Sequence, residues 1–234
     1  SALISGCLSS GADCFSVGVL PTPGIALLTR RLQAHGGIVL SASHNPFADN
    51  GIKLISSEGT KFPDAWEAEI EQRLDAPDRA PRARGAKIGE LVDYDRAESD
   101  YVEFLCGCFP LDLSMLAVAL DCAHGATYRV APRVFRRLGA RVLTLGARPD
   151  GVNINAGFGA LHPEKLQKKV LAAGASVGFA FDGDGDRLIS VDHTGEIRDG
   201  DYALAIAGRH FAARQRLKQN LAGTTVMANL GLDQ

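Results

Sequence analysis

The sequence has no surplus of positive charge, no long apolar run and no closely spaced pair of cysteines suited to a metal. Its 25 Lys and Arg residues stand against 27 Asp and Glu residues, giving a formal net charge of −2. This balance argues against a nucleic-acid-binding surface and against a polybasic contact with a membrane. No apolar stretch reaches the roughly 18 residues of a membrane-spanning helix, and no signal-peptide pattern is present. We therefore expect no nucleic-acid partner and no membrane partner.

The cysteines are few, odd in number and scattered along the chain. They are Cys7, Cys14, Cys106, Cys108 and Cys122. None forms a Cys-x-x-Cys pair, so neither a zinc site nor a disulfide framework is indicated. Reduced thiols fit better, and we expect a cytoplasmic protein.

Short apolar runs alternate with helical patterns along the 234 residues. This alternation is typical of βαβ units, so we predict an α/β fold whose sheets are mixed but mainly parallel. The predicted strands are 15–20, 37–41, 51–55, 115–121, 140–145, 176–181, 187–192 and 224–229. The predicted helices are 24–35, 64–74, 94–106, 127–138, 163–173 and 200–214.

Both ends of the sequence resemble interrupted elements. "SALISGCLSSGA" has the pattern of a helix already in progress, and "TTVMANLGLDQ" has that of an apolar strand with nothing after it. We expect a fragment of a longer protein. Residues 75–90 are rich in Pro, Arg, Ala and Gly and predict an exposed connection near a domain boundary.

The strongest chemical signal is the acidic loop in "FAFDGDGDRLISVD". Asp182, Asp184 and Asp186 alternate with two glycines, which let the backbone curl tightly. Three carboxylates turned toward one point repel one another unless a cation joins them. Because oxygen ligands select hard cations, the loop predicts a site for Mg²⁺ or Ca²⁺.

The acidic loop has two other interpretations, an EF-hand and a solvated turn. An EF-hand requires Gly at the sixth position and Glu at the twelfth, whereas counting from Asp182 gives Arg187 and His193, with strands on both sides. A solvated acidic turn remains possible on the loop alone. Arg187 weighs against it, because a guanidinium directly after three metal ligands suits a phosphate that the metal shares.

A second polar loop lies in "LSASHNPFADNGIKL", residues 40–54. Asn50-Gly51 is a hairpin signal that would fold Lys53 back toward Ser43 and His44. No Gly-x-Ser-x-Gly pattern surrounds the serine, so a hydrolase elbow is not indicated and a phosphoryl carrier fits better. An ordinary polar turn is the alternative, but it is disfavoured because both loops occur in one chain.

Together these residues identify a family by resemblance. "SASHNPFADNGIK" resembles the phosphoserine loop of the α-D-phosphohexomutases, and "DGDGDR" resembles their Mg²⁺ loop. "DCAHGATY", "DGVNIN", "HPEKL" and "TVMANLGL" extend the resemblance over essentially the whole chain. It implies phosphohexomutase α/β domains: an incomplete first domain at 1–91, a second at 92–197 and the start of a third at 198–234.

The resemblance also implies a reaction and a role for each residue. It is strongest to members that interconvert glucosamine 6-phosphate and glucosamine 1-phosphate through a sugar bisphosphate, for UDP-N-acetylglucosamine and cell-wall synthesis. It implies Mg²⁺ as cofactor and glucosamine 1,6-bisphosphate or a related sugar bisphosphate as activator. By this resemblance Ser43 is the exchangeable phosphoserine and also completes the metal sphere, while Asp182, Asp184 and Asp186 are the Mg²⁺ ligands. Lys53 is the acid/base group. His44 supports the phosphoserine, and Arg187 orients phosphate.

Several alternatives stay open at the level of sequence. The substrate could be a glucose or mannose phosphate, the enzyme could be a metal-dependent phosphatase, or the fragment could be a non-catalytic binding module. "FGALHPE", at 158–164, departs from the family pattern Cys-Gly-Ser-Thr-His-Pro-Glu by replacing a thiol and two hydroxyls with apolar side chains. The resemblance further implies that the 234-residue chain is inactive alone. The sequence does not predict an oligomeric state.

Overall fold

The computed structural model describes residues 2–74 and 82–214. Its helices are α1 Ala2–Ser9, α2 Thr22–Arg31, α3 Asp64–Leu74, α4 Ala97–Cys108, α5 Thr127–Arg137, α6 Glu164–Ala173 and α7 Gly200–Ala213. Its strands are β1 Cys14–Ser16, β2 Gly36–Ser41, β3 Gly51–Ser56, β4 Leu91–Asp93, β5 Ala117–Asp121, β6 Arg141–Leu145, β7 Val177–Phe181, β8 Leu188–Asp192 and β9 Ile197–Arg198.

The described strands form three sheets. Strands β1 and β4 pair in parallel, and β2 and β3 form an antiparallel hairpin. A five-stranded sheet has the order β6-β5-β7-β8-β9, in which β5 pairs in parallel with β6 and β7 while the last two pairings are antiparallel. The predicted mixed α/β class is confirmed. The predicted parallel majority is not found among the described strands, because three of their six pairings are antiparallel: β2–β3, β7–β8 and β8–β9.

Strand β5 lies between β6 and β7 in the five-stranded sheet and is buried along its whole length. Ala117 and Ala119 pack with Leu166 and Val170 of α6, whereas Val118 and Leu120 pack toward α5. Successive side chains of a strand point to opposite faces, so a strand with apolar side chains on both faces needs a helix on each side. This packing fixes the carboxyl ends of β5 and β7, and the acidic loop follows β7 directly.

A second core joins the N-terminal elements to the five-stranded sheet. Leu28 of α2 packs with Tyr101 and Val102 of α4, and Val130 of α5 belongs to the same cluster. Helix α2 also packs against both strands of the β2–β3 hairpin. The hairpin is therefore held against the second half of the chain by a continuous apolar core.

Most predicted elements are found within a few residues of their predicted bounds. The exception is the strand predicted at 15–20, which is reduced to Cys14–Ser16, and the short strands β4 and β9 were not predicted. The strand predicted at 224–229 lies outside the described residues. The domain bounds 1–91, 92–197 and 198–234 stay a prediction. All five cysteines are free thiols, and none of the helices in 2–74 and 82–214 is both long and apolar enough for a bilayer.

Candidate active site

The serine loop, residues 42–50, connects β2 to β3. In the hairpin Val39 pairs with Lys53 and Ser41 pairs with Gly51, so the antiparallel ladder begins immediately after Asn50. The hairpin is as predicted, but the two-residue Asn50-Gly51 turn is wrong, because nine residues form the connection. Contacts from outside the hairpin hold this longer loop, and Ser43 adopts a left-handed backbone with φ 53°.

The acidic loop, residues 182–186, leads from β7 into β8. One carboxylate oxygen from each of Asp182, Asp184 and Asp186 lies within 4.8 Å of the others. Asp182 and Asp184 are buried, and Asp186 is partly buried. Asp182 Oδ1 accepts the backbone N–H groups of Asp186 and Arg187, each at 3.1 Å, which curls the loop so that the three side chains converge.

The serine loop and the acidic loop contact each other directly. The N–H of Gly183 donates to the carbonyl oxygen of Ser43 at 3.0 Å, and Ser43 Oγ lies 3.5 Å from Asp182 Oδ2. A Cβ atom at position 183 would overlap the carbonyl oxygen of Ser43 and the side chain of Ile154. Glycine is therefore required there for the close approach of the two backbones. The serine hydroxyl consequently lies at the edge of the carboxylate cluster.

Lys53 reaches this cluster from β3. Its Nζ lies 2.6 Å from Asp184 Oδ2 and 2.9 Å from Asp186 Oδ2, with a third of the side chain exposed. Burial acts to lower the pKa of the Lys53 ammonium, but hydrogen bonds to Asp184 and Asp186 outweigh it and raise that pKa. Lys53 is accordingly protonated at neutral pH and neutralises part of the acidic charge.

The two buried carboxylates differ in their electrostatics. Burial, reinforced by the charges of Asp184 and Asp186, raises the pKa of Asp182 to about 7. Burial also acts to raise the pKa of Asp184, but hydrogen bonds from Lys53 and Thr22 outweigh it and lower that pKa. An additional cation near Asp182 would favour its charged form.

The donor set fits a hard divalent cation. Asp184 Oδ1 and Asp186 Oδ1 are buried and have no hydrogen-bond partner in the described part of the chain. Buried carboxylate oxygens without partners are costly, and a cation would satisfy them. Oxygen-only ligands that share several negative charges suit Mg²⁺ or Ca²⁺ better than a soft metal.

The other two predicted site residues, His44 and Arg187, form no hydrogen bond or ion pair with the carboxylate cluster through their side chains in the described part of the chain. His44 Nδ1 is buried without a partner in the described residues, and the side chain lines a cavity of about 480 Å³ with Phe47, Asn155 and Leu161. Leu161 belongs to the segment that departs from the family pattern, so the departure affects a wall of this cavity. Arg187 is exposed, and only its backbone contacts the acidic loop.

Two residues at the site were missed by sequence reasoning. The hydroxyl and the N–H of Thr22, at the start of α2, donate to the side chain and the carbonyl of Asp184. Asn155 donates to two carbonyls of the serine loop. Neither residue stands near the two loops in sequence. Asn155 lies in "DGVNIN", and the only sequence signal of that segment is the family resemblance.

Comparison with known proteins identifies the family. Residues 1–80 match the phosphoglucomutase/phosphomannomutase alpha/beta/alpha domain I, and residues 99–195 match domain II. The chain belongs to the phosphoglucomutase/phosphomannomutase family. The resemblance inferred from the two loops is thus confirmed.

Individual relatives give a finer comparison within this family. The chain is 51% identical to phosphoglucosamine mutase of Desulforudis audaxviator, covering 99% of this chain and 52% of that protein. It is also 51% identical to phosphoglucosamine mutase of Pseudomonas syringae pv. syringae, covering 100% of this chain and 52% of that protein. The chain therefore spans about half the length of these curated relatives.

A solved structure supports the fold. The crystal structure of a phosphoglucomutase/phosphomannomutase family protein from Burkholderia thailandensis superposes with a TM-score of 0.72 at 30% identity. The superposition covers 92% of this chain and 47% of that one. The α/β elements that carry the serine and acidic loops therefore belong to an architecture already seen in the family.

Proposed function

We propose that this chain carries the phosphoserine and metal-binding part of a phosphoglucosamine mutase. The whole protein would interconvert glucosamine 6-phosphate and glucosamine 1-phosphate in the cytoplasm, in the supply of UDP-N-acetylglucosamine for the cell wall. The observation that carries this proposal is the position of Ser43 Oγ, 3.5 Å from Asp182 within a cluster of three carboxylates and one ammonium.

The proposed chemistry is phosphoryl exchange at Ser43. In one half-reaction the phosphoryl group of Ser43 passes to a sugar hydroxyl and forms a sugar bisphosphate. After the bisphosphate reorients, its other phosphoryl group returns to Ser43 Oγ and the isomeric monophosphate leaves. A sugar 1,6-bisphosphate would maintain the phosphorylated state, which explains the proposed activator.

The other residues would position groups and balance charge. A phosphoserine adds about −1.5 to −2 charges beside three carboxylates, so the site requires cations. Asp182, Asp184 and Asp186 would hold Mg²⁺, which would offset this charge and polarise the phosphoryl oxygens when bound. Lys53 would act as the acid/base group and enter as an ammonium, because its raised pKa keeps it protonated.

His44 and Arg187 have supporting roles in the proposal. His44 Nδ1 has no hydrogen-bond partner among the described residues and would hydrogen-bond in support of the serine phosphate. The exposed Arg187 follows the acidic loop directly and would orient a substrate phosphate. Phosphoryl transfer depends mainly on positioning and charge stabilisation, which is what this set of side chains provides.

One observation favours glucosamine phosphate as the substrate. The identity to phosphoglucosamine mutases is 51%, against 30% to the Burkholderia protein named for glucose and mannose phosphates. Glucose or mannose phosphate remains the second candidate. The phosphatase alternative is not supported, because the similar proteins described above are phosphohexose mutases by name.

The test is an isomerisation assay on the whole protein with Mg²⁺ and glucosamine 1,6-bisphosphate. Glucosamine 6-phosphate, glucose 6-phosphate and mannose 6-phosphate are compared by kcat/KM, and inorganic phosphate is measured in parallel. We expect the highest kcat/KM for glucosamine 6-phosphate with little phosphate released. A higher value for glucose or mannose phosphate would favour the second candidate, and phosphate release without isomerisation would contradict mutase activity.

A further inference from the structure

We propose that Asn155 is a positioning residue that fixes the serine loop, residues 42–50, against the acidic loop. Its Nδ2 donates to the carbonyl oxygen of Ser43 at 2.8 Å and to that of Asn45 at 2.8 Å. One side-chain amide has two N–H donors, and both are used on the same loop. The part of this inference that concerns turnover rests on the proposed function.

The carbonyl oxygen of Ser43 is held from two directions. Gly183 of the acidic loop donates to it through the backbone, and Asn155 donates to it through the side chain. Asn45 O adds a second attachment for the Asn155 amide. One contact alone would leave the loop free to pivot, whereas contacts at two carbonyls define both the position and the orientation of the serine.

The orientation matters because Ser43 has an uncommon backbone conformation. Its φ of 53° lies in the left-handed region, which most non-glycine residues avoid. Such a conformation persists where surrounding contacts over-determine it. The Asn155 and Gly183 hydrogen bonds provide these contacts and direct Ser43 Oγ to the edge of the carboxylate cluster.

Asn155 is itself anchored to the most buried part of the fold. Its N–H donates to the carbonyl of Ala123 at 2.8 Å, just beyond the end of β5. The buried Asp121 accepts the N–H of Ala123 at 3.0 Å and that of Gly159 at 2.9 Å, which ties the Asn155 segment to the end of β5. Asn155 has a φ of 60°, which asparagine tolerates better than most residues.

The chain offers a matched control two residues away. Asn153 lies in the same loop, but its Nδ2 donates to the carbonyl of Arg148 and its Oδ1 accepts the N–H of Asp150. These contacts are local and do not involve the serine loop. Asn153→Asp therefore makes the same chemical change as Asn155→Asp without touching the proposed attachment.

The first experiment measures amide hydrogen exchange of residues 42–50 in the 234-residue chain. Asn155→Asp replaces the donors with carboxylate oxygens that repel the two carbonyls, and Asn155→Gly removes the amide while tolerating a positive φ. We expect the exchange rate of the amides in 42–50 to rise roughly tenfold in both variants, because the two hydrogen bonds from Asn155 Nδ2 to this loop are lost. In Asn153→Asp it should match the wild type. Unchanged exchange in either Asn155 variant, or equal acceleration in the control, would overturn the attachment.

The second experiment measures mutase kinetics in the whole protein. A displaced serine loop should lower kcat on the order of 10–100-fold in both Asn155 variants, because reacting atoms lose their alignment. KM should change by less than about twofold, since the sugar-binding groups are untouched. Full kcat in a variant whose loop exchanges faster would overturn the positioning role. Absence of mutase activity in the wild type would instead refute the proposed function, while the exchange result would still decide the attachment.

Discussion

The backbone N–H of Gly183 donates a hydrogen bond to the carbonyl oxygen of Ser43 at 3.0 Å. This bond joins the acidic loop to the serine loop without any side chain between them. The approach is possible only because position 183 has no Cβ. The geometry of the proposed site therefore depends on a glycine that ligates nothing itself.

Gly183→Ala should move the serine loop away from the acidic loop. The new Cβ would overlap Ser43 O and the side chain of Ile154, so the loops must separate. We expect mutase activity of the whole protein to fall at least about tenfold, as misplacement of reacting atoms does. Gly107→Ala is the control, because nothing lies within 4 Å of a Cβ built there. Equal activity of the two variants would contradict the close-approach argument.

Asp184→Asn should weaken Mg²⁺ binding. The change removes one of three converging negative charges and one carboxylate whose Oδ1 lacks a hydrogen-bond partner among the described residues. We expect the Mg²⁺ dissociation constant, measured by titration calorimetry on the 234-residue chain, to rise at least about tenfold, since the charge count of the ligands sets the affinity.

The matched control for Asp184→Asn is Asp192→Asn. Asp192 lies at the end of β8 and pairs with Thr194 and Arg198 rather than with the acidic loop. Its replacement should leave the Mg²⁺ affinity unchanged. A dissociation constant that is the same in the wild type and in Asp184→Asn would argue against a metal site at this loop.

Ser43→Ala should abolish transfer of label to the protein. When the whole protein is incubated with radiolabelled glucosamine 1,6-bisphosphate, the wild type should gain phosphate at Ser43 and the variant should gain none. Ser56→Ala is the control, because Ser56 lies at the far end of the same hairpin and contacts Thr60. Label retained in Ser43→Ala would show that the phosphate acceptor is another residue.

Tyr101→Phe should reduce the loss of stability at alkaline pH. Burial raises the pKa of Tyr101 to about 12 from its ordinary value of 10. The unfolded chain releases this proton near pH 10 and the folded chain only near pH 12. The stabilisation is therefore complete below pH 10 and is lost as the pH rises through this window.

Urea unfolding at pH 9 and pH 11 measures this effect. From pH 9 to pH 11 the wild type should lose about 1 kcal/mol more free energy of unfolding than Tyr101→Phe. The reason is that pH 11 lies one unit above the ordinary pKa of tyrosine, and each such unit costs the folded state about 1.4 kcal/mol. The other tyrosines are common to both proteins and cancel. Identical losses in the two proteins would mean that Tyr101 is solvated in the folded state.

The sequence determined the local elements and the chemistry of the two loops. Helices such as α6 follow from apolar periodicity and strands such as β5 from a short continuous apolar run, and both signals depend on residues close in sequence. The acidic loop could be predicted because Asp182, Asp184 and Asp186 carry their ligand pattern within five positions. The family resemblance added roles for Ser43 and Lys53, which spacing alone does not assign.

How these parts meet depends on packing between segments that are distant in sequence. The length of the serine loop, the antiparallel half of the large sheet and the contacts of Thr22 and Asn155 all depend on partners distant in sequence. The residues around Asn155 in sequence do not predict its role, because that role is to donate hydrogen bonds to two carbonyls of the serine loop. These carbonyls approach Asn155 only after β2, β3 and β5 have packed. Hydrogen bonds between distant segments form where packing brings backbones together, so periodicity and motif spacing do not encode them.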